Sequence, residues 1–144
     1  MTINYRNYAC QFVAMLSLTV LSAGFAGCTK EKDENHAAKF NGTWSGTASC
    51  SGSSPSSGQL VFTATDNKTV TTNYSAGTGS CVQGKVLTGT ANGNNVTFNT
   101  ITVTDGCGLS YSVSATGTLV GSTLTFTLSV NGAANGTCTF SGTK

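Results

Sequence analysis

Strict alternation of apolar and hydroxyl-bearing side chains is the feature of this sequence that most restricts its fold. Between Leu109 and Leu119, every odd-numbered residue is Leu, Tyr, Val, Ala or Gly, and every even-numbered residue is Ser or Thr. The same period of two runs through residues 123–130 and 40–48. Half-buried antiparallel strands have this period, so each segment is predicted to turn one face to a core and the other to water.

Less regular strand patterns lie between these segments. The predicted additional strands are residues 59–65, 68–75, 81–91, 95–104 and 137–142. No stretch after the N-terminal region has helical periodicity, so we expect an all-β domain with a helix content near zero.

Turn-forming residues separate the eight predicted strands in an orderly way. Short links at Asp66-Asn67, Asn92-Gly93-Asn94 and Val120-Gly121-Ser122 alternate with longer links rich in Gly and Ser. This order predicts an eight-stranded antiparallel up-and-down meander that closes into a small barrel, which removes its open edges. A two-sheet β-sandwich is the alternative fold.

The N-terminus has the pattern of an export signal. Arg6 precedes an apolar run at residues 8–24, which ends in Phe25-Ala26-Gly27-Cys28. The small residues before Cys28 resemble the bacterial lipobox, in which the signal is cut before a cysteine that carries a diacylglycerol. Residues 1–27 are therefore predicted as a lipoprotein signal peptide, with a transmembrane helix as the alternative for the apolar run.

The segment after this cysteine is short and charged. Residues 28–39 are predicted as the lipidated Cys28 followed by a flexible tether, and residues 40–144 as a single domain. The bilayer is then a partner, held through acyl chains on Cys28. The acidic and lysine-rich run also resembles the export signal of surface-displayed lipoproteins. We expect an outer-membrane anchor with the domain outside the cell, or alternatively facing the periplasm.

The remaining cysteines are predicted to form disulfides. Cys10 leaves with the predicted signal, and the thiol of Cys28 carries the predicted lipid. The four cysteines that remain, Cys50, Cys81, Cys107 and Cys138, are an even set in an oxidising compartment. The meander places all four at one end of the barrel. Adjacency there favours pairing Cys50 with Cys138 and Cys81 with Cys107, and the other pairings stay open. No close Cys pair suggests a metal site.

The charged residues of the domain are too few to suggest a catalytic site. Past the tether, Asp66 and Asp105 are the acids, and neither His nor Arg is present. A general acid/base pair needs two titratable groups near one substrate, so no catalytic residue and no cofactor are predicted. Lys85, within the fourth strand, is expected to point outward into water. The charge distribution offers no basic face for nucleic acid.

A short motif at the start of the first strand resembles a family signature. Gly42-Thr43-Trp44 is similar to the G-x-W motif of lipocalins and related calycins. The resemblance implies a barrel whose Trp packs at a closed end, with a basic residue of the last strand over it, for which Lys144 is the candidate. It also implies an opposite mouth that admits an apolar ligand.

Two functions are compatible with these patterns. The first is a lipocalin-like binding module for a small apolar molecule or a glycan, and its predicted ligand contacts are the inward aromatic residues Trp44, Phe62, Tyr111 and Phe126. The second is a barrel filled by side chains, which acts structurally or contacts a protein of the cell envelope through its Ser/Thr exterior or its loops.

Overall fold

The alternating segments form β-strands in the computed structural model, which describes residues 34–76 and 83–144. The strands are β1 Gly42–Cys50, β2 Ser56–Ala64, β3 Thr69–Ala76, β4 Gln83–Asn92, β5 Asn95–Thr104, β6 Ser110–Val120, β7 Thr123–Gly132 and β8 Gly136–Thr143. Each strand pairs antiparallel with the next, and β1 pairs with β8 to close a barrel. The predicted eight-stranded meander is confirmed.

Tight turns define one end of the barrel, which we call the closed end. The β4–β5 and β6–β7 links are two residues long and begin with Gly93 and Gly121, whose φ angles are 58° and 59°. Glycine takes a positive φ without steric cost, and such turns match the twist of paired strands. The opposite end, which holds the β1–β2, β5–β6 and β7–β8 links, is called the open end.

A single turn of 3₁₀ helix, Ala37–Lys39, covers the closed end. Ala37 and the following Phe40 are fully buried, and the Ala37 N–H donates to the Asn67 carbonyl at 3.1 Å. The Trp44 indole N–H donates to the Phe40 carbonyl at 2.8 Å. The apolar residues Ala37 and Phe40, which follow the charged run, thus pack onto the barrel, and the tether at residues 28–39 stays a prediction.

The middle of the barrel is filled by aromatic rings. Phe62, Phe98 and Phe126 form a triangle with ring centroids 5.6 to 5.7 Å apart. Phe40 meets Phe62 edge to face from the closed end, at 6.4 Å. The half of the barrel on the Trp44 side of this triangle is thus packed with side chains.

A disulfide fastens the closing pair of strands at the open end. Cys50 of β1 and Cys138 of β8 are cross-strand partners and are bonded, as predicted. Cys107, in the β5–β6 link, is also disulfide-bonded. Its predicted partner Cys81 lies outside the described residues, so that pairing stays a prediction.

The predicted signal peptide, the lipidation site Cys28 and residues 29–33 of the charged tether also lie outside the described residues. Within residues 34–76 and 83–144, no helix has the length and hydropathy required to cross a membrane.

Candidate functional site

A cavity of about 220 Å³ lies inside the barrel, beyond the aromatic triangle towards the open end. Strands β1 to β4, β7 and β8 contribute its walls, and its lining combines aliphatic, aromatic and uncharged polar residues. The described lining residues are Ala48, Gly58, Gln59, Leu60, Thr72, Asn73, Tyr74, Leu87, Phe126, Leu128, Cys138, Thr139 and Phe140. Because none of them carries a formal charge, the cavity suits an uncharged guest.

The four predicted ligand contacts are distributed over different levels of the barrel. Phe126 is part of the cavity wall and also of the aromatic triangle. Phe62 lies in the triangle without reaching the cavity, and Trp44 lies at the closed end. Tyr111 lies near the open end, outside the cavity wall, where its hydroxyl binds a carboxylate. The structure therefore places Phe126, of these four, in the cavity.

Two hydroxyl groups face the cavity from β3. Thr72 is buried, and its hydroxyl donates to the Val61 carbonyl at 2.8 Å. The Tyr74 hydroxyl makes no hydrogen bond to any described residue, and burial raises the pKa of this phenol. Tyr74 is therefore a neutral hydrogen-bond donor at the cavity, without a partner among the described residues.

Asp105 organises the β5–β6 link at the open end. Its carboxylate accepts hydrogen bonds from the Cys107 N–H at 2.9 Å, the Leu109 N–H at 3.0 Å and the Tyr111 hydroxyl at 3.0 Å. The Leu109 bond contributes most to lowering the pKa of Asp105, with burial acting in the opposite direction. The same contact with Asp105 raises the pKa of Tyr111. These three hydrogen bonds satisfy the buried carboxylate of Asp105 within the protein.

Lys85 is exposed to solvent, as predicted. It is the cross-strand partner of Tyr74 and has the same strand parity as Leu87. Its position at the open rim of β4 gives this inner-side lysine access to water.

Metal ligands do not cluster in the part of the chain that the structure describes, where no group of three or more His, Cys, Asp or Glu side chains converges. The chemistry available at the cavity is therefore apolar packing supplemented by neutral hydrogen bonds.

Several cavity residues escaped the sequence analysis. Val70, Thr72 and Tyr74 occupy every second position of β3, which is a signal for inward positions that could have been used. Gln59 and Asn73 carry no such signal, because strand parity puts them on the outer side.

The comparisons with known proteins support the architecture. No protein-family model and no curated protein matches the chain. Among solved structures, the protein EF1p2_mFAP2b bound to DFHBI is 14% identical with a TM-score of 0.52, over 76% of this chain and 97% of that one. The redesigned β-barrel mFAP1 bound to DFHBI is 15% identical with a TM-score of 0.50, over 77% and 100% of the two chains.

A natural protein has a similar fold. A candidate outer membrane protein from Bacteroides fragilis is 18% identical with a TM-score of 0.50, over 76% of this chain and 53% of that one. The chain therefore spans about half the length of that protein. At these identities, the similarities establish a shared β-barrel fold.

Proposed function

We propose that this protein is a non-catalytic, lipid-anchored lipoprotein whose barrel binds a small, largely apolar molecule. The observation that carries the proposal is the cavity of about 220 Å³ next to Phe126. Concave sites with mostly apolar walls and a few polar groups are typical of small-molecule binding. In this lining, Leu60, Leu87 and Leu128 supply apolar surface, and Tyr74 supplies a hydrogen-bond donor.

An apolar guest fits this lining better than a glycan does. A sugar presents hydroxyl groups all around its ring, and each buried hydroxyl without a partner costs about 1 to 3 kcal/mol. The Thr72 and Tyr74 hydroxyls lie on β3, whereas β7 contributes Phe126 and Leu128. A molecule with one polar end and an apolar body matches that division.

Two further observations support a lipocalin-like barrel. Lys144 lies over the Trp44 ring at the closed end, and the cavity lies in the opposite half. Two barrels of similar fold hold the small molecule DFHBI. We therefore infer that Trp44 has the closing role that the G-x-W resemblance implies, and that ligand contacts belong to Phe126 and its neighbours.

The proposed location follows from the N-terminus and the cysteines. The lipobox-like sequence places a lipid on Cys28, and the charged residues after it favour display on the outer surface of the outer membrane, with a periplasm-facing domain as the alternative. A disulfide such as Cys50–Cys138 is typical of an oxidising compartment outside the cytosol. The fold shared with an outer-membrane candidate agrees with this location.

A second candidate function is a protein-interaction module of the cell envelope. It is favoured by the filled half of the barrel and by a continuous outer row of paired threonines, Thr97, Thr116, Thr127 and Thr139. In that case the cavity is incidental, and the partner contacts the hydroxyl-rich exterior.

Native mass spectrometry of the full-length protein from its own host, with its disulfides intact, tests the first function. We expect a co-purifying small molecule in the wild-type protein. The Ala48→Phe variant should lose it, because the new ring enters the cavity, while Thr47→Phe, on the outer side of β1, should keep it.

Ligand retained by Ala48→Phe would show that binding occurs elsewhere. If the wild-type protein carries no ligand and takes up no apolar dye, the interaction module becomes the better explanation.

A further inference from the structure

The ladder between β2 and β3 stops before either strand ends. Its pairs run from Ala64 with Val70 to Phe62 with Thr72, and no pair joins residues 56–61 of β2 to residues 73–76 of β3. The Thr72 hydroxyl instead occupies the Val61 carbonyl, one residue beyond the last pair. We call this unpaired stretch, residues 56–61 facing residues 73–76, the β2–β3 seam.

Neighbouring pairings allow the seam to widen. Residues 56–62 of β2 remain paired with β1 along their whole length, so that side is fixed. Towards the open end, residues 73–76 of β3 pair with residues 83–86 of β4. Among the described residues, β4 pairs with β5 at Gly89–Asn92 alone. The part of the β3–β4 ribbon near the open end therefore has no described ladder to β2 or to β5. A two-stranded ribbon of this kind is marginally stable by itself.

The cavity reaches this seam. Leu60 and Gln59 line it from β2, and Asn73 and Tyr74 line it from β3. Gln59 and Asn73 lie on facing strands that no ladder joins at this level. Val61, beside them on the outer side, is 49% exposed. The cavity wall between these two segments is therefore not closed by a strand ladder.

The seam also supplies the neutral polar groups of the site. The Asn73 amide and the Tyr74 hydroxyl can donate or accept hydrogen bonds, whereas the Gln59 amide donates to the Ser45 hydroxyl on the outer side of β1. None of the described lining residues is charged, and a buried ion without a counter-charge is strongly disfavoured. A guest that enters here keeps its polar end at the seam while its apolar body contacts Leu87, Phe126 and Leu128.

We propose that the cavity is entered from the side of the barrel, through the β2–β3 seam, by an uncharged molecule with an apolar body and one hydrogen-bonding end. This rests on the proposed binding function and adds to it the route of access and the polarity of the ligand. The open end, where Asp105 fastens the β5–β6 link, is then not the entrance.

A disulfide staple across the seam tests the route. Val61 and Asn73 would be opposite if the ladder continued by one pair. The probe is the uncharged naphthalene dye prodan, whose carbonyl is its hydrogen-bonding group, added to the full-length protein. The dye's association rate in V61C/N73C should fall about tenfold below that of Asn73→Ser, which alters the same lining side chain without a staple, because access then needs a slower rearrangement.

The matched control is a staple between Thr118→Cys and Thr125→Cys, a paired position on the outer side of β6 and β7. It should leave the association rate within about twofold of wild type, since that seam is already closed. Peptide mapping verifies that each staple forms and that native disulfides persist. An unchanged association rate in the stapled V61C/N73C protein would overturn the lateral route while leaving binding intact.

Hydrogen exchange on the unmodified protein tests the seam without a variant. The amides of Gln59, Val61 and Asn73, which point across the seam, should exchange at least about tenfold faster than those of residues 114–118 in the paired β6, and prodan should slow their exchange. Protection of these amides equal to that of β6 in the absence of dye means that the seam is closed and contradicts the proposal. Failure of prodan to bind at all, with fast exchange at the seam, counts instead against the binding function.

Discussion

The Nζ atom of Lys144 lies 4.7 Å from the centroid of the Trp44 ring, so the last residue of the chain covers the aromatic residue that begins the barrel. The same ammonium donates to the Lys39 and Asn41 carbonyls, at 2.8 Å each. One side chain thus ties β8, the start of β1 and the 3₁₀ helix together. Partial burial in this position lowers the pKa of Lys144.

Replacing Lys144 by Met should destabilise the protein by about 1 kcal/mol, since it removes a cation–π contact and two charge-assisted hydrogen bonds at a partly solvated site. Lys144→Arg should recover most of the lost stability, because the guanidinium also stacks on aromatic rings. Urea unfolding measures the stability of both variants. Lys39→Met is the control, since its surface ion pair with Glu34 contributes little. Equal effects at the two lysines would contradict a specific role for the Trp44 contact.

Asp105 should make stability depend on pH in the acidic range. Its pKa is lowered in the folded state, mainly by the Leu109 N–H. The stabilisation is therefore fully present above the unfolded-state pKa, near 3.9, and is lost as the pH falls through the folded-state pKa. We expect Asp105→Asn to be less stable than wild type at pH 7, and this difference to narrow below pH 4. Thermal unfolding across this range provides the measurement.

Tyr111→Phe is the matched variant for this effect. It removes one of the three hydrogen bonds to Asp105 and leaves the two backbone donors in place. The acid-induced loss of stability should then be smaller than in wild type and should end at a higher pH, because only the folded-state pKa is raised. An unchanged acid profile in both variants would mean that the carboxylate contributes nothing through its ionised form.

A row of three glycines crosses β8, β1 and β2, where Gly46 is paired with Gly142 on one side and Gly58 on the other. A Cβ at Gly46 would overlap with the Ser141 and Gly142 backbone, whereas a Cβ at Gly58 meets nothing within 4 Å. Gly46→Ala should cost about 3 kcal/mol or more, because backbone atoms must move. Gly58→Ala should change stability by less than about 1 kcal/mol.

Chemical denaturation compares these two alanine variants directly. The difference in stability depends on the space around each glycine, which the β8 backbone restricts at Gly46 and leaves open at Gly58. β-Propensity alone predicts a similar gain in stability at both positions. A Gly46→Ala protein as stable as Gly58→Ala would show that β1 and β8 lie farther apart than described.

The sequence predicts much of the strand pattern because alternation is a local property. The inner positions Leu124, Phe126 and Leu128 follow from spacing alone, and so does the association of Cys50 with Cys138 once the meander closes. The inner position of Asp105 does not follow from spacing. A register shift between Phe98 and Ile101 changes the parity of β5, which brings Asp105 to the inner side next to Tyr111.

The cavity and its seam lie beyond what spacing can predict. Whether Phe126 lines a space or fills it depends on the combined volume of side chains from six strands. The β2–β3 ladder ends early, next to the Val61 carbonyl that accepts the Thr72 hydroxyl. The sequence does not predict this end, because Thr is common in paired strands as well.

Truncating Phe126 tests the core assignment. The ring is 6% exposed and packs against Phe62 and Phe98. Phe126→Ala should destabilise the protein by about 3 to 5 kcal/mol, as for a large buried aromatic residue. Thr125→Ala, on the exposed outer side of the same strand, should stay within about 0.5 kcal/mol. A loss below about 1 kcal/mol at Phe126, measured by urea unfolding, would refute its inward packing.

The anchoring proposal depends on Cys28, which precedes the described residues. Each methylene group buried in the bilayer contributes about 0.8 kcal/mol, so two or three acyl chains on this cysteine give lasting attachment. Cys28→Ser should move the protein from the membrane fraction to the soluble fraction, as followed by immunoblotting of fractionated cells. Cys10→Ser, within the apolar run, should remain attached because it leaves the lipid acceptor unchanged. Membrane attachment that persists in Cys28→Ser would instead indicate that the apolar run at residues 8–24 stays uncleaved and holds the protein as a helix.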